Sequence, residues 1–203
     1  MDFIHQFIPA SGGNEMTLLL LHGTGGTEED LLAAGKFLAP SAALLGVRGK
    51  VLERGMPRFF RRVAEGVFDE EDLMFRTREL AHFTEEAAKM YKLNPKKIFA
   101  VGYSNGANIA ASMLLLEPSI LSGAVLFRSM VPLEPKPLPD LTGTPILMLS
   151  GRQDPIVPVS NSERLAQLFS EIGANVTLNW ESTGHGLTRP ELEIAKSWIQ
   201  KLA

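Results

Sequence analysis

A chain of 203 residues, 45% of them hydrophobic and 21% charged, can bury one substantial core, and no shift in composition divides it, so residues 1–203 read as a single domain. The formal net charge is -3 with acids and bases interspersed, which leaves no basic footprint for nucleic acid or an anionic membrane and favours a small neutral or mixed substrate. The absence of cysteine excludes disulfides, thiolate metal sites and every Cys-His mechanism.

Residues 3–8 alternate weakly and run into Ser11-Gly12-Gly13-Asn14, a short edge strand and its turn. With an acid at Asp2, no basic run, and an early apolar stretch limited to residues 18–21, the N-terminus has the character of neither a leader nor a membrane span. The expectation is a cytoplasmic protein without stable membrane association. Residues 17–21 form a buried strand that ends in His22-Gly23-Thr24-Gly25-Gly26. Thr27 then caps a helix reaching about Leu38, with Glu28, Glu29 and Asp30 in its first turn. Residues 42–47 make the next strand.

Residues 50–71 form a connection unusually long for a compact domain, and connections of this kind tend to carry function. Two readings of it stand open. Phe59 and Phe60 line an acyl or aromatic pocket for substrate; or they pack as core while Arg58, Arg61 and Arg62 pair with Glu65, Asp69, Glu70 and Glu71 on a solvated surface.

Residues 72–91 have helical spacing that stops before Asn94-Pro95. Residues 98–101 are an apolar run suited to a strand buried on both faces, and from 105 to 116 the small and apolar residues recur with helical period. Between them lies Gly102-Tyr103-Ser104-Asn105-Gly106. A serine squeezed between strand and helix needs flanking residues without bulk, and the pattern G-x-S-x-G supplies them, pushing the hydroxyl out beside a helix N-terminus. Further strands follow at 123–127, 146–149 and 176–180. A proline-rich crossover ends at Pro145, a helix spans 160–172 before Gly173, and Thr188 opens a last helix with Pro190 and Glu191 behind it. Strand and helix alternate almost throughout, which specifies an α/β fold: a mostly parallel central sheet, helices on both faces, and ligands beyond the carboxyl ends of the strands.

If Ser104 is a nucleophile in this architecture, an acid and then a histidine should follow it in loops after later strands. His185 is the one histidine after Ser104, and the aspartates there are Asp140 and Asp154. Asp140 precedes a strand and so belongs to the wrong end of the sheet; Asp154 follows one. The triad is therefore Ser104, Asp154 and His185, the imidazole taking the serine proton and the carboxylate holding its tautomer. A tetrahedral oxyanion needs donors, and the N–H groups of Asn105 and Thr24 are placed to supply an oxyanion hole. His22 reads as structural. No metal is called for, since no cluster at ligand spacing exists, and no cofactor is needed.

These residues resemble the phospholipase/carboxylesterase family of the α/β-hydrolase fold, and the resemblance covers nearly the whole chain. It is carried by LHGTGG at 21–26, VRGKVLERGMPRFFRR at 47–62, VGYSNGANIA at 101–110, SGRQDPIVP at 150–158 and STGHGL at 182–187. Small bacterial carboxylesterases, among them hydrolases responsive to hydroquinones and catechols, are the most similar. The resemblance implies nucleophile Ser104, acid Asp154, base His185, oxyanion groups at Thr24 and Asn105, and a serine carboxylesterase acting on small soluble esters through an acyl-serine intermediate. An acyl thioesterase or lysophospholipase would use the same residues, and a ligand-binding protein that kept the fold without hydrolysis is the alternative of another class. Asn105 stands where the acyl-protein thioesterase branch has glutamine, which argues against protein depalmitoylation. The crossover at 129–144 is too short and proline-rich for a cap domain, so an open, shallow site is expected. The resemblance also implies a homodimer, which no stretch of the sequence itself specifies.

Overall fold

The computed structural model describes residues 3–202; Asp2, which weighed in the reading of the N-terminus, lies outside them. In chain order the strands are β1 (His5–Ile8), β2 (Thr17–Leu21), β3 (Ala43–Val47), β4 (Val51–Glu53), β5 (Met56–Arg58), β6 (Arg62–Ala64), β7 (Val67–Phe68), β8 (Ile98–Tyr103), β9 (Gly123–Phe127), β10 (Pro145–Gly151) and β11 (Asn175–Glu181). The helices are α1 (Leu32–Leu38), α2 (Glu70–Tyr91), α3 (Asn105–Leu116), α4 (Val159–Glu171) and α5 (Arg189–Ile199). Seven strands make one sheet in the order β1-β3-β2-β8-β9-β10-β11, parallel except where β1 runs antiparallel beside β3. This is the α/β-hydrolase architecture, and the crossover from β9 to β10 carries no helix, hence no cap.

Strand alternation divides the core into two layers, because successive side chains leave opposite faces of the sheet. Leu19, Leu21, Leu45 and Ala100 pack with residues of α2, α3 and α4, such as Leu80, Ala110, Leu165 and Phe169. Leu18, Leu20, Leu44 and Val101 pack on the other face with Leu38, Ala195 and Ile199 of α1 and α5. All five residues of β2, β3 and β9 are buried, the mark of strands covered on both sides. The carboxyl ends of β2, β8, β9, β10 and β11 therefore open on one edge, and the loops that bear the candidate site leave from it. Among the described residues no helix is long and apolar enough to cross a membrane.

Two expectations are corrected. The helix expected from Thr27 begins only at Leu32, and its N-cap Leu31 makes no side-chain capping bond. Thr27 instead bonds Asp30 Oδ1 at 2.9 Å and accepts from the Glu29 N–H, and the main chain forms three-residue turns, Asp30 to Thr27 and Leu32 to Glu29. Packing dictates this. Glu28 must reach Arg48, at 2.5 Å and 2.9 Å, and its carbonyl lies so close over Gly46 of β3 that a Cβ there would overlap it.

The segment 50–71 is not a structureless loop but two antiparallel hairpins, β4–β5 and β6–β7. Their strands have two or three residues, too few for an alternation to register. The turn of the first is Arg54-Gly55, both at positive φ (52° and 81°), a conformation that matches strand twist and strongly favours glycine.

Candidate active site

Ser104 sits at φ 52°, ψ −114°, between β8 and α3. That strained conformation persists because both neighbours lock it: the Ser104 N–H donates to Phe127 O of β9 at 2.8 Å, and its carbonyl accepts from Asn108 N at 2.9 Å. The two glycines of the motif allow the approach. A Cβ on Gly102 would lie 2.6 Å from the Cα of Ala107, and one on Gly106 would overlap the Leu21 carbonyl at the end of β2. The sequence thus welds strand, turn and helix against β2 and leaves the serine hydroxyl on the surface side.

His185, in the loop after β11, places Nε2 at 2.9 Å from Ser104 Oγ and Nδ1 at 2.7 Å from Asp154 Oδ2, in the loop after β10. The Asp154 side chain is fully buried and the His185 ring is 18% exposed. The other carboxylate oxygen of Asp154 accepts from the N–H groups of Ile156 (2.8 Å) and Val157 (3.0 Å), so the acid is fixed before it meets the histidine. This network assigns the histidine proton to Nδ1 and leaves Nε2 to accept from the serine. The three residues, separated by up to 81 positions, meet as a hydrogen-bonded chain.

Thr24 and Asn105 border the same cleft as Ser104 and His185. The N–H of Asn105 lies in the first turn of α3, where no intrahelical acceptor exists. Both segments are held from the hairpin side. Arg58 Nη1 donates to Thr24 Oγ1 at 2.7 Å, Gly25 N to Pro57 O at 2.9 Å, and the Phe59 N–H to Asn105 Oδ1 at 2.7 Å.

Phe59 and Phe60 themselves do not line the cleft, which corrects the substrate-pocket reading. They are 2% and 0% exposed and belong to the core on the α2–α3 face, Phe59 against the His22 ring at 4.8 Å and Phe60 against Phe68 at 5.1 Å. Apolar rings beside a sheet edge gain more from full burial than from a wet cleft. Of the expected arginine pairs, Arg61–Asp69 is present, and Arg61 also meets Asp72, whereas Arg58 and Arg62 share Glu53 instead.

The sequence reading missed Arg128 and Glu191. Arg128 follows β9 at φ 57° and is fully buried. Its guanidinium donates to the carbonyls on both sides of His185, Gly184 O at 3.0 Å and Gly186 O at 2.7 Å, to Leu149 O at 3.0 Å, and bidentately to the buried carboxylate of Glu191. Glu191 also closes the capping box with Thr188, so one carboxylate ties α5 to the histidine loop. The available signal was a lone arginine set directly after a wholly apolar strand, where burial demands a partner. Tyr103 adds a hydroxyl donated to His185 O at 3.1 Å, and burial raises its phenol above the usual range.

His22 is 1% exposed and structural: Nδ1 donates to Gly23 O at 2.6 Å and Nε2 accepts from Gly49 N at 3.0 Å. Burial lowers its pKa, against the opposing pull of the Gly23 carbonyl and Asp30. An unfolded chain takes up that proton near pH 6.5, the folded one only below it. The contribution to stability is thus complete above about pH 6.5 and declines as pH falls toward the lowered folded value. Urea unfolding at a series of pH values should show wild type losing stability below that point more steeply than His22→Gln; parallel curves would refute the assignment.

Residues 5–203 match the family model described as phospholipase/carboxylesterase. The chain is 50% identical over 196 residues, 97% of this chain and 98% of the other, to MhqD of Bacillus subtilis (strain 168), which is named as a hydrolase. Its fold superposes on a crystal structure of a Bacillus cereus carboxylesterase with a TM-score of 0.97 and 50% identity, covering 100% of this chain and 95% of that one. A structure of YahD with malic acid matches at a TM-score of 0.93 and 30% identity, covering 99% and 100% of the two chains.

Proposed function

The chain belongs to the phospholipase/carboxylesterase family and is a carboxylic-ester hydrolase, and from that premise we propose that Ser104, His185 and Asp154 carry out hydrolysis of small soluble esters through an acyl-serine intermediate. The observation that supports this most directly is the unbroken chain from Ser104 Oγ to His185 Nε2 and from Nδ1 to Asp154. Ser104 Oγ attacks the ester carbonyl carbon as His185 Nε2 takes its proton. The carbonyl oxygen becomes an oxyanion held by the N–H groups of Asn105 and Thr24. His185, its imidazolium stabilised by Asp154, returns the proton to the departing alkoxide, leaving acyl-Ser104 and a free alcohol. Water then attacks the acyl carbon with His185 again as base, and the acid departs with the serine restored.

The cleft at Ser104 holds about 310 Å³ and has no cap above it. That size suits a short ester and argues against a long acyl chain. We read the whole chain as one domain; the cytoplasm is the proposed compartment and a homodimer, taken from the family resemblance, the proposed assembly. Hydrolysis of p-nitrophenyl esters from acetate to palmitate should peak at short acyl groups, with a fluorophosphonate label located on Ser104 by mass spectrometry. An optimum at palmitate would favour the lysophospholipase or thioesterase reading, and absence of both turnover and label would return the non-catalytic one.

A further inference from the structure

We propose that the ester this site prefers carries a carboxylate of its own, bound by Arg58 and Arg62 while Ser104 attacks. The inference rests on the esterase reading above and names the substrate class within it. Two guanidinium groups line one wall of the cleft that holds Ser104 and His185, on the side of the two hairpins.

Arg58 is 3% exposed, yet its donors are incompletely used. Nε reaches Phe60 O at 3.2 Å and Nη1 reaches Thr24 Oγ1 at 2.7 Å, whereas Nη2 makes no hydrogen bond to protein among the described residues. Arg62 is attached through Nε alone, to both oxygens of Glu53 at 3.0 and 3.1 Å. Glu53 also stands 3.2 Å from Arg58 Nε, so one carboxylate is shared between two cations. Burial lowers the Arg58 pKa and the charge of Arg62 lowers it further, the cost of two like charges side by side at a half-buried wall. Arg128, the third guanidinium on the cleft, is neutralised by Glu191. Glu65, also on the lining, is exposed and makes no ion pair among the described residues.

Arginine forks suit planar carboxylates, and a bound carboxylate would supply acceptors to the guanidinium donors that the protein leaves unused. Position sets the length of the substrate. Arg58 touches Thr24, whose N–H is assigned to the oxyanion, so the substrate carboxylate lies only a few bonds from the reacting carbonyl. A monoester of a short dicarboxylic acid has that span. The alternative of a greasy acyl channel loses Phe59 and Phe60, which are turned into the core, and keeps only the apolar lining of Phe68, Tyr103, Met130, Ile156 and Val157 beside the two guanidinium groups.

The test compares mono-p-nitrophenyl glutarate with p-nitrophenyl valerate, of equal chain length, in wild type, Ser104→Ala and Arg62→Gln. Wild type should prefer the glutarate ester by about tenfold or more in kcat/KM, the order expected for one charge-assisted hydrogen bond. High salt should shrink that preference, since Arg62 is partly exposed. In Arg62→Gln, with its melting temperature checked, the preference should collapse toward unity. If Arg62→Gln does not fold, the wild-type ratio and its salt dependence decide the matter alone. Serine-dependent turnover of valerate with no preference for glutarate overturns the proposal and leaves the esterase reading intact, as does an equal loss on both esters in Arg62→Gln. Failure to hydrolyse either ester removes the esterase reading and the proposal with it.

Discussion

Ser104→Ala, His185→Ala and the double variant are each expected to lose about 10⁴-fold or more in kcat on an alkyl ester, with the double variant no worse than the more damaged single one. Serine without the imidazole at 2.9 Å keeps its proton near neutral pH and is a poor nucleophile, and the imidazole without the serine has no group to deprotonate but water. The two act as one device, so removing either removes the whole. What survives is orientation and the oxyanion donors, which none of these substitutions touches. Asp154→Asn should fall by a similar factor for a different reason: an amide in place of the buried carboxylate favours the wrong imidazole tautomer. Steady-state kinetics on variants whose melting temperatures match wild type would check this. Retention of a few per cent of activity by Ser104→Ala, or additive losses in the double variant, would exclude the proposed roles.

Ser104, Asp154 and His185 were legible because each sits at a strand end, and strand ends announce themselves through a change of hydrophobic period. A residue at such a boundary has its place in three dimensions assigned by topology alone. Phe59 and Phe60 were not legible in the same way. Two aromatics beside a site are equally suited to a pocket and to a core, and the choice depends on where their backbone lies, which is set by two hairpins too short to leave a pattern. Their function turned out to reside in the main chain: the Phe59 N–H, not its ring, holds Asn105. Thr27 failed for a third reason. Its sequence is a good helix start, but the approach of the Glu28 carbonyl to Gly46 and the reach to Arg48 overrode local preference, and tertiary packing outweighs a capping contribution of about 1 kcal/mol. Arg128 was overlooked because its place after an apolar strand calls for a partner but nothing adjacent in sequence says which, the partners coming from β10, the histidine loop and α5.

That arginine makes the second large prediction. Arg128→Met should destabilise the protein by about 3–5 kcal/mol, since it strands the fully buried Glu191 carboxylate without a counter-ion. In a chain of this size the melting temperature should drop by roughly 10 °C. Activity should fall as well, because the carbonyls of Gly184 and Gly186 lose the donors that hold His185 from both sides. These two effects can be separated. Pairing Arg128→Met with Glu191→Met replaces the buried ion pair by apolar groups, and such replacements commonly restore much of the stability lost by breaking a pair. The histidine loop would still lack its donors. The double variant should therefore recover most of its melting temperature while kcat stays low with KM little changed, because a misplaced imidazole harms proton transfer more than it harms substrate binding. If kcat returns together with stability, the Arg128–Glu191 pair supports only the fold; if it stays low in a protein that melts like wild type, the pair sets the position of the base.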